Sequence, residues 1–237
     1  LGIILNSAGT EKVSWGSVDS LIHGLSTISV AVSFKPASLA ADRRVFQAFS
    51  PIDGFIARLF DADDIGVVFS AGGGYRGVRT NGSTLTTGSW IRVVCTIDLT
   101  QGESGTNGII YLDGTKLTLG AGLVTDVGSA TGTLVAAVNN DCAVGYDSNS
   151  TFPQVDGGFA EPALWNRVLT DAEGIALSTT ASPADYPSGL LFHSRLIDTT
   201  DINDLVQPLT GTLTGGANTD HPVSYGGPTP LWAQSCL

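Results

Sequence analysis

A hydrolase that works through two carboxylates must aim both at one bond. Where both sit on one strand, two acids separated by a single residue leave the same side of the sheet. The chain has four glutamates, Glu11, Glu103, Glu161 and Glu173, and no Glu-x-Asp-x-Glu arrangement. Asp171 and Glu173 are two apart, but Thr170-Asp171-Ala172-Glu173 reads as a capping box: Thr170 caps the Glu173 amide and Glu173 reaches back. Asp61 and Asp63 are also two apart, within a turn-like Asp-Ala-Asp-Asp. His23, His193 and His221 lie far apart with no nucleophile elbow around them, and read as surface or hydrogen-bonded residues. The chain is therefore read as no enzyme, with a glycoside hydrolase as a distant alternative.

Oxygen-rich loops offer different chemistry. Asp147 and Asp156, with Asn139, Asn140 and Asp141 near them in sequence, carry hard oxygens of the kind calcium takes. Calcium is the one cofactor these residues suggest. Asp61, Asp63 and Asp64 form a second group. Neither follows the EF-hand spacing, and Asp and Asn also simply make turns. A sugar would want an exposed aromatic ring beside polar groups. Tyr75 in Gly72-Gly73-Gly74-Tyr75-Arg76, Tyr146 and Phe152 have that setting. Trp90 and Trp165 fall in strand patterns and read as core. The three glycines lack the Lys-Ser/Thr of a phosphate loop.

The elements that must position these residues are strands. In Thr27 to Phe34, Ile28, Val30, Val32 and Phe34 alternate with Thr27, Ser29, Ala31 and Ser33, which predicts a half-buried strand ending at Pro36. Ile91 to Leu99 repeats the alternation and places Cys95 on an apolar face as a small hydrophobe. Ile109–Leu112, Asp113-Gly114 and Thr115–Leu119 predict a hairpin whose turn needs positive φ at both positions. Further strands are expected at 45–49, 55–60, 65–70, 134–138, 142–146, 159–165 and 190–197. After Thr170 a single short helix is expected to about Leu177, and Pro183 bars a much longer one.

Composition agrees with many short strands. Among 237 residues there are 30 Gly and 10 Pro, and only 14% are charged, below the ~25% of soluble domains. The formal net charge of −11 argues against nucleic-acid binding, which needs a basic footprint. Three cysteines, Cys95, Cys142 and Cys236, make neither a disulfide scaffold nor a zinc site; Cys236 could react between chains. No stretch reaches the ~20 apolar residues that cross a bilayer, and Leu1 to Leu5 is not an intact signal peptide. One sandwich over 1–209 is expected. A Gly-, Thr- and Pro-rich tail over 210–237 would pack on it or on a neighbour.

Three stretches carry a family resemblance. Gly88-Ser89-Trp90-Ile91-Arg92-Val93-Val94-Cys95-Thr96-Ile97-Asp98, followed by Tyr111-Leu112-Asp113-Gly114, is similar to a "W-x-x-V-x-x-x-x-D … Y-x-D-G" hairpin. Val144-Gly145-Tyr146-Asp147, then Asp156 to Thr170, resembles an "I-G … F-x-G-x-I-D-E-V-x-I-Y-N-R-A-L-S" signature. Gly189 to His193 with Leu213 to Gly216 is similar to a trailing segment of phage-associated members. Together they resemble a laminin-G-like domain of the concanavalin-A-like lectin/glucanase superfamily. The resemblance implies an all-β antiparallel jelly-roll sandwich, and sets Asp147 at the family's Gly-x-Asp loop. Ala160-Glu161-Pro162 departs from the family's acidic pair. Members differ in function. The reading favoured here is a non-enzymatic structural protein of a virion or surface assembly, such as a capsid-decorating or fibre-associated jelly roll. Its partners would be other virion or surface proteins, as a homo-oligomer or larger assembly. The alternative is a glycan-binding adhesive module, calcium-dependent or not, with cell-surface glycans as partners. In that case Tyr75 and the loop from Asp147 to Asp156 should converge on one cleft.

Overall fold

The computed structural model describes residues 2–5, 11–39, 42–49, 53–60, 64–82, 85–102, 107–135, 141–145 and 155–219. Among these the chain forms two facing antiparallel sheets. The first contains β1 (Gly2–Leu5), β3 (Thr27–Pro36), β8 (Ile91–Asp98), β9 (Ile109–Leu112), β10 (Thr115–Leu119), β13 (Gly157–Trp165), β14 (Leu190–His193) and β16 (Ala217–Thr219). Its order is β16-β1-β13-β3-β8-β9-β10, and β14 takes the second half of the β13 edge. The second contains β2 (Lys12–Ser17), β4 (Arg43–Phe49), β5 (Gly54–Leu59), β6 (Ile65–Ala71), β7 (Gly74–Thr80), β11 (Gly122–Ser129), β12 (Asp141–Gly145) and β15 (Thr212–Thr214). Its order is β15-β2-β12-β4-β5-β6-β7-β11. A short parallel pairing of β10 with β11 joins the two sheets at one rim.

Alternating side chains from both sheets fill the space between them. Phe34, Phe159 and Ile97 come from the first sheet and Phe46, Phe55, Phe69 and Trp15 from the second. Trp15 meets Phe192 edge-on, with ring centroids 4.9 Å apart. Cys95 and Cys142 are buried here as free thiols.

The outer face of the first sheet is covered as well. The helix α2 (Asp171–Leu177) has the expected capping box, with both reciprocal bonds formed at Thr170 and Glu173. Leu177 packs with Tyr111, Ala163 and Trp165 in a second apolar cluster. This corrects the half-buried reading of β3. Ser29 is fully buried, because its hydroxyl lies 2.7 Å from that of Thr96 and donates to the Arg167 carbonyl. Hydroxyls hydrogen-bonded this way can line a strand face that the pattern alone reads as wet.

Two turns follow from local chemistry. Asp113 and Gly114 both take positive φ, 46° and 82°, as the hairpin requires. Gly72 and Gly73 do the same at 55° and 87°. The segment read as a glycine loop is thus the turn of a β6–β7 hairpin, and Tyr75 sits on a strand. Other departures are small. A second helix, α1 (Asp19–Ile22), precedes β3, so the expected single helix has a one-turn companion. Trp90 is not in a strand and is only half-buried. Leu134 makes an isolated bridge to Ala71 rather than starting a strand; 136–138 lie outside the described residues. Pro162 stays within β13 because a bulge between Ala160 and Ala163 takes it out of the ladder. Of the tail, β15 pairs with β2 and β16 with β1, one on each sheet.

Candidate binding face of the second sheet

Inward positions on the second sheet are apolar, so alternate residues point away from the core. Two cross-strand rows result. One runs Thr212, Ser14, Ala143, Gln47, Ile56, Val68 and Gly77, from β15 across to β7. The other runs Arg44, Arg58, Gly66 and Arg79 across β4, β5, β6 and β7. Ile56 and Val68 form a nearly inaccessible floor.

At the β15–β2–β12 edge the first row opens into a cavity of about 420 Å³ lined by Lys12, Ser14, Gly16, Asp141, Thr210 and Thr212, with Trp15 beneath. That size falls within the roughly 300–1,000 Å³ of small-ligand clefts. Lys12 Nζ donates to Asp141 Oδ2 at 3.1 Å. Three hydroxyls, an ammonium and a carboxylate therefore converge on one space, a donor and acceptor set that can meet the hydroxyls of a sugar.

The second row is built around Phe60, which follows β5. Its ring lies against Gly66, where no β-carbon stands in the way. The Arg58 guanidinium sits 4.1 Å from the ring centroid and that of Arg79 5.8 Å. Both are within cation–π range. Arg44 donates to the Gln47 side-chain carbonyl. Asp42 lies 3.6 Å from Arg58 and Asp64 3.6 Å from Arg79. Asp64 also accepts from the Thr80 hydroxyl at 3.0 Å and the Gly82 amide at 2.9 Å. This commits Asp64 to holding the end of β7; Asp61 and Asp63 lie outside the described residues.

The residues expected from sequence are distributed differently. Tyr75 is half-buried and points outward on the second sheet, opposite Ser70 at the β6–β7 turn. Asp156 precedes β13, and its carbonyl accepts from Ala37 at 2.7 Å. The neighbouring Val155 amide donates to the Arg44 carbonyl. Arg44 begins β4 and pairs with the end of β5, whereas Tyr75 lies by the end of β6. Tyr75 and Asp156 are thus at opposite ends of the strands; the rest of the loop expected to meet Tyr75 lies outside the described residues. Tyr146, Phe152 and Asp147 lie outside the described residues. Among the described residues no three His, Cys, Asp or Glu side chains gather as a metal site would.

His193 and Glu161 form a buried pair across β13 and β14, Nε2 to Oε2 2.5 Å, with the Ser182 hydroxyl 3.4 Å from the same oxygen. Both are within the wall of the first sheet rather than on the outer face of the second. Residues that sequence reading missed are Lys12, Ser14, Thr210 and Thr212 of the cavity, and Arg44, Arg58, Phe60 and Arg79 of the second row. Pairing register alone brings them together.

Comparison with known proteins bears on the fold. A family model described as the concanavalin A-like lectin/glucanases superfamily matches residues 7–173. No curated protein sequence matches the chain. A solved protein from Bacteroides ovatus, described as a candidate carbohydrate-binding protein, aligns with a TM-score of 0.60 at 20% identity. The alignment covers 95% of this chain, which spans 62% of that protein's length. The CBM40 of the Ruminococcus gnavus IT-sialidase, solved with α2,3-sialyllactose, aligns with a TM-score of 0.53 at 13% identity, over 75% of this chain and 96% of that one. A full-length tailspike protein of an Escherichia coli bacteriophage aligns with a TM-score of 0.50 at 13% identity, over 82% and 26%. At these identities the likeness is one of fold.

Proposed function

This chain belongs to the concanavalin A-like lectin/glucanases superfamily, and on that premise we propose that it is a non-catalytic glycan-binding module displayed on an extracellular or particle surface. The observation that carries the reading is the cavity at the β15–β2–β12 edge, where hydroxyls and the Lys12–Asp141 pair converge. Sugars are bound through many cooperative hydrogen bonds to such groups, over a surface held rigid before the ligand arrives. The ladder of β2 between β12 and β15 supplies that rigidity. Asp141 is the one acidic residue lining the cavity among those described, and it is engaged with Lys12. That supports binding over two-carboxylate hydrolysis, which needs a second acid across the bond.

A structural role in a virion or surface assembly draws less support. The tail, expected to pack on the sandwich or on a neighbour, completes through Thr219 the edges of its own sandwich. Calcium at Asp147 and Asp156 stands as a proposal testable by repeating any binding measurement with chelator.

The test is a glycan array with the purified chain, followed by titration of the best ligand against two variants. Thr212→Trp fills the cavity from an exposed edge position, and Asp141→Ala removes the ion pair without touching the core. Each should weaken binding roughly tenfold or more. Unchanged affinity in both would place the ligand elsewhere; no binding to any glycan, with a large native mass, would return the assembly reading.

A further inference from the structure

The chain contains two Asn-Gly dipeptides, Asn81-Gly82 and Asn107-Gly108, and the fold gives them opposite surroundings. Their glycines are alike in backbone, with φ of 70° and 83°. The asparagines differ. Asn107 is buried. Its Nδ2 donates to the carbonyls of Asp98, Gln101 and Gly102 at 3.0, 3.2 and 3.1 Å, and its Oδ1 accepts from the Asp98 amide at 2.9 Å. A β-carbon on Gly108 would lie 2.9 Å from Val78 Cγ1, so the backbone there is enclosed as well. Asn81 follows the end of β7, and its backbone amide donates to the Gly122 carbonyl at 3.0 Å. The residue is exposed, and among the described residues no hydrogen bond holds its carboxamide. A β-carbon on Gly82 would meet nothing within 4 Å. The Gly82 N–H donates to Asp64 Oδ1 at 2.9 Å.

We propose that Asn81 is a self-modification site, converted to aspartate or isoaspartate by its own neighbour Gly82, and that the fold protects Asn107 from the same reaction. The Gly82 nitrogen attacks Asn81 Cγ as Asp64 takes its proton. A C–N bond forms, the Cγ–Nδ2 bond breaks, and Nδ2 leaves as ammonia with the proton that Asp64 returns. Water then adds to either carbonyl of the cyclic imide, and ring opening restores the Gly82 N–H. One water is consumed and one ammonia released. Asp64 stands within the reach a general base needs. The exposed carboxamide turns freely towards the nitrogen, and a glycine there leaves the approach open. Asn107 would first have to break the four bonds that hold it. The product adds one carboxylate to a chain already at −11. The isoaspartate form also lengthens the main chain by one carbon between the Asn81–Gly122 and Gly82–Asp64 contacts, which loosens the edge where β7 meets β11. The inference stands apart from what the chain binds.

The experiment incubates the full chain in mildly alkaline buffer, native and in denaturant. Both asparagines are followed by peptide mass mapping, with chromatography that separates isoaspartate. In the native chain Asn81 should convert at least about tenfold faster than Asn107, and in denaturant the two rates should draw together. Native Asn107 converting as fast as Asn81 overturns the inference, as does Asn81 staying intact while the denatured chain converts. Asp64→Asn keeps an acceptor for the Gly82 N–H but not a base, and should slow conversion at Asn81 severalfold. A variant that folds and converts as fast as wild type, or faster, overturns the part given to Asp64. Should it fail to fold, the pH dependence of the wild-type rate decides: an internal carboxylate base predicts a rate that hardly changes across neutral pH, and a rate proportional to hydroxide overturns it.

Discussion

The ring of Phe60 occupies the space a β-carbon on Gly66 would need: that carbon would lie 2.5 Å from Phe60 Cε2 and 2.6 Å from the Val78 carbonyl oxygen. Glycine at this position lets the ring lie on the sheet and the two arginines pack beside it. Gly66→Ala must move either the ring or β7, at a cost of about 1–3 kcal/mol for overpacking. Urea unfolding of the variant should show that loss.

Arg76 faces the other way from its neighbours on β7 and is fully buried. Its guanidinium donates to the carbonyls of Asp98, Gln101 and Gly102. The Asn107 amide donates to the same three carbonyls at 3.0, 3.2 and 3.1 Å. Together they hold the turn that follows β8. Arg76→Met leaves those carbonyls short of donors and should cost about 1–3 kcal/mol. Asn107→Ala should do likewise, and the double variant should lose less than the sum, because both act on one turn. Chemical denaturation of the three variants checks this.

The capping box gives a pH prediction. Hydrogen bonds from Arg167, and then from Thr170, hold the Glu173 carboxyl at about 2, below the usual 4.5. A lowered folded-state value stabilises the protein above the unfolded value, and that contribution fades as pH falls from 4.5 towards 2. Arg167 bridges both Glu173 oxygens, at 2.7 and 2.8 Å. Glu173→Gln should therefore lower the melting temperature at neutral pH, and the gap to wild type should narrow through that window. A gap independent of pH would contradict the assignment.

Local chemistry was legible in the sequence and long-range register was not. The capping box at Thr170 and the Asp113-Gly114 turn are each written within four residues, and both form as expected. The alternation of β3 and β8 was equally plain. β7 was missed because Tyr75-Arg76-Gly77-Val78-Arg79 buries an arginine on its apolar side, which hides the period of two. The arginine row was invisible for another reason: Arg44, Arg58 and Arg79 share a face only once β4, β5, β6 and β7 take their pairing. The same register places Tyr75 and Asp156 at opposite ends of the strands.

Burial raises the Cys95 thiol to about 12 and also raises that of Cys142. A thiolate is the reactive form. Native labelling with a thiol reagent near pH 8 should therefore leave both residues unmodified, as mass spectrometry of the peptides would show, and denaturant should expose them.

The most direct measurement is amide chemical-shift mapping with the tightest-binding glycan found on the array. The account predicts that Ser14, Gly16, Asp141 and Thr212 shift on binding, around the cavity at the β15–β2–β12 edge. Shifts confined to the helix-covered first sheet would contradict it, as would shifts that leave these amides still while another face responds.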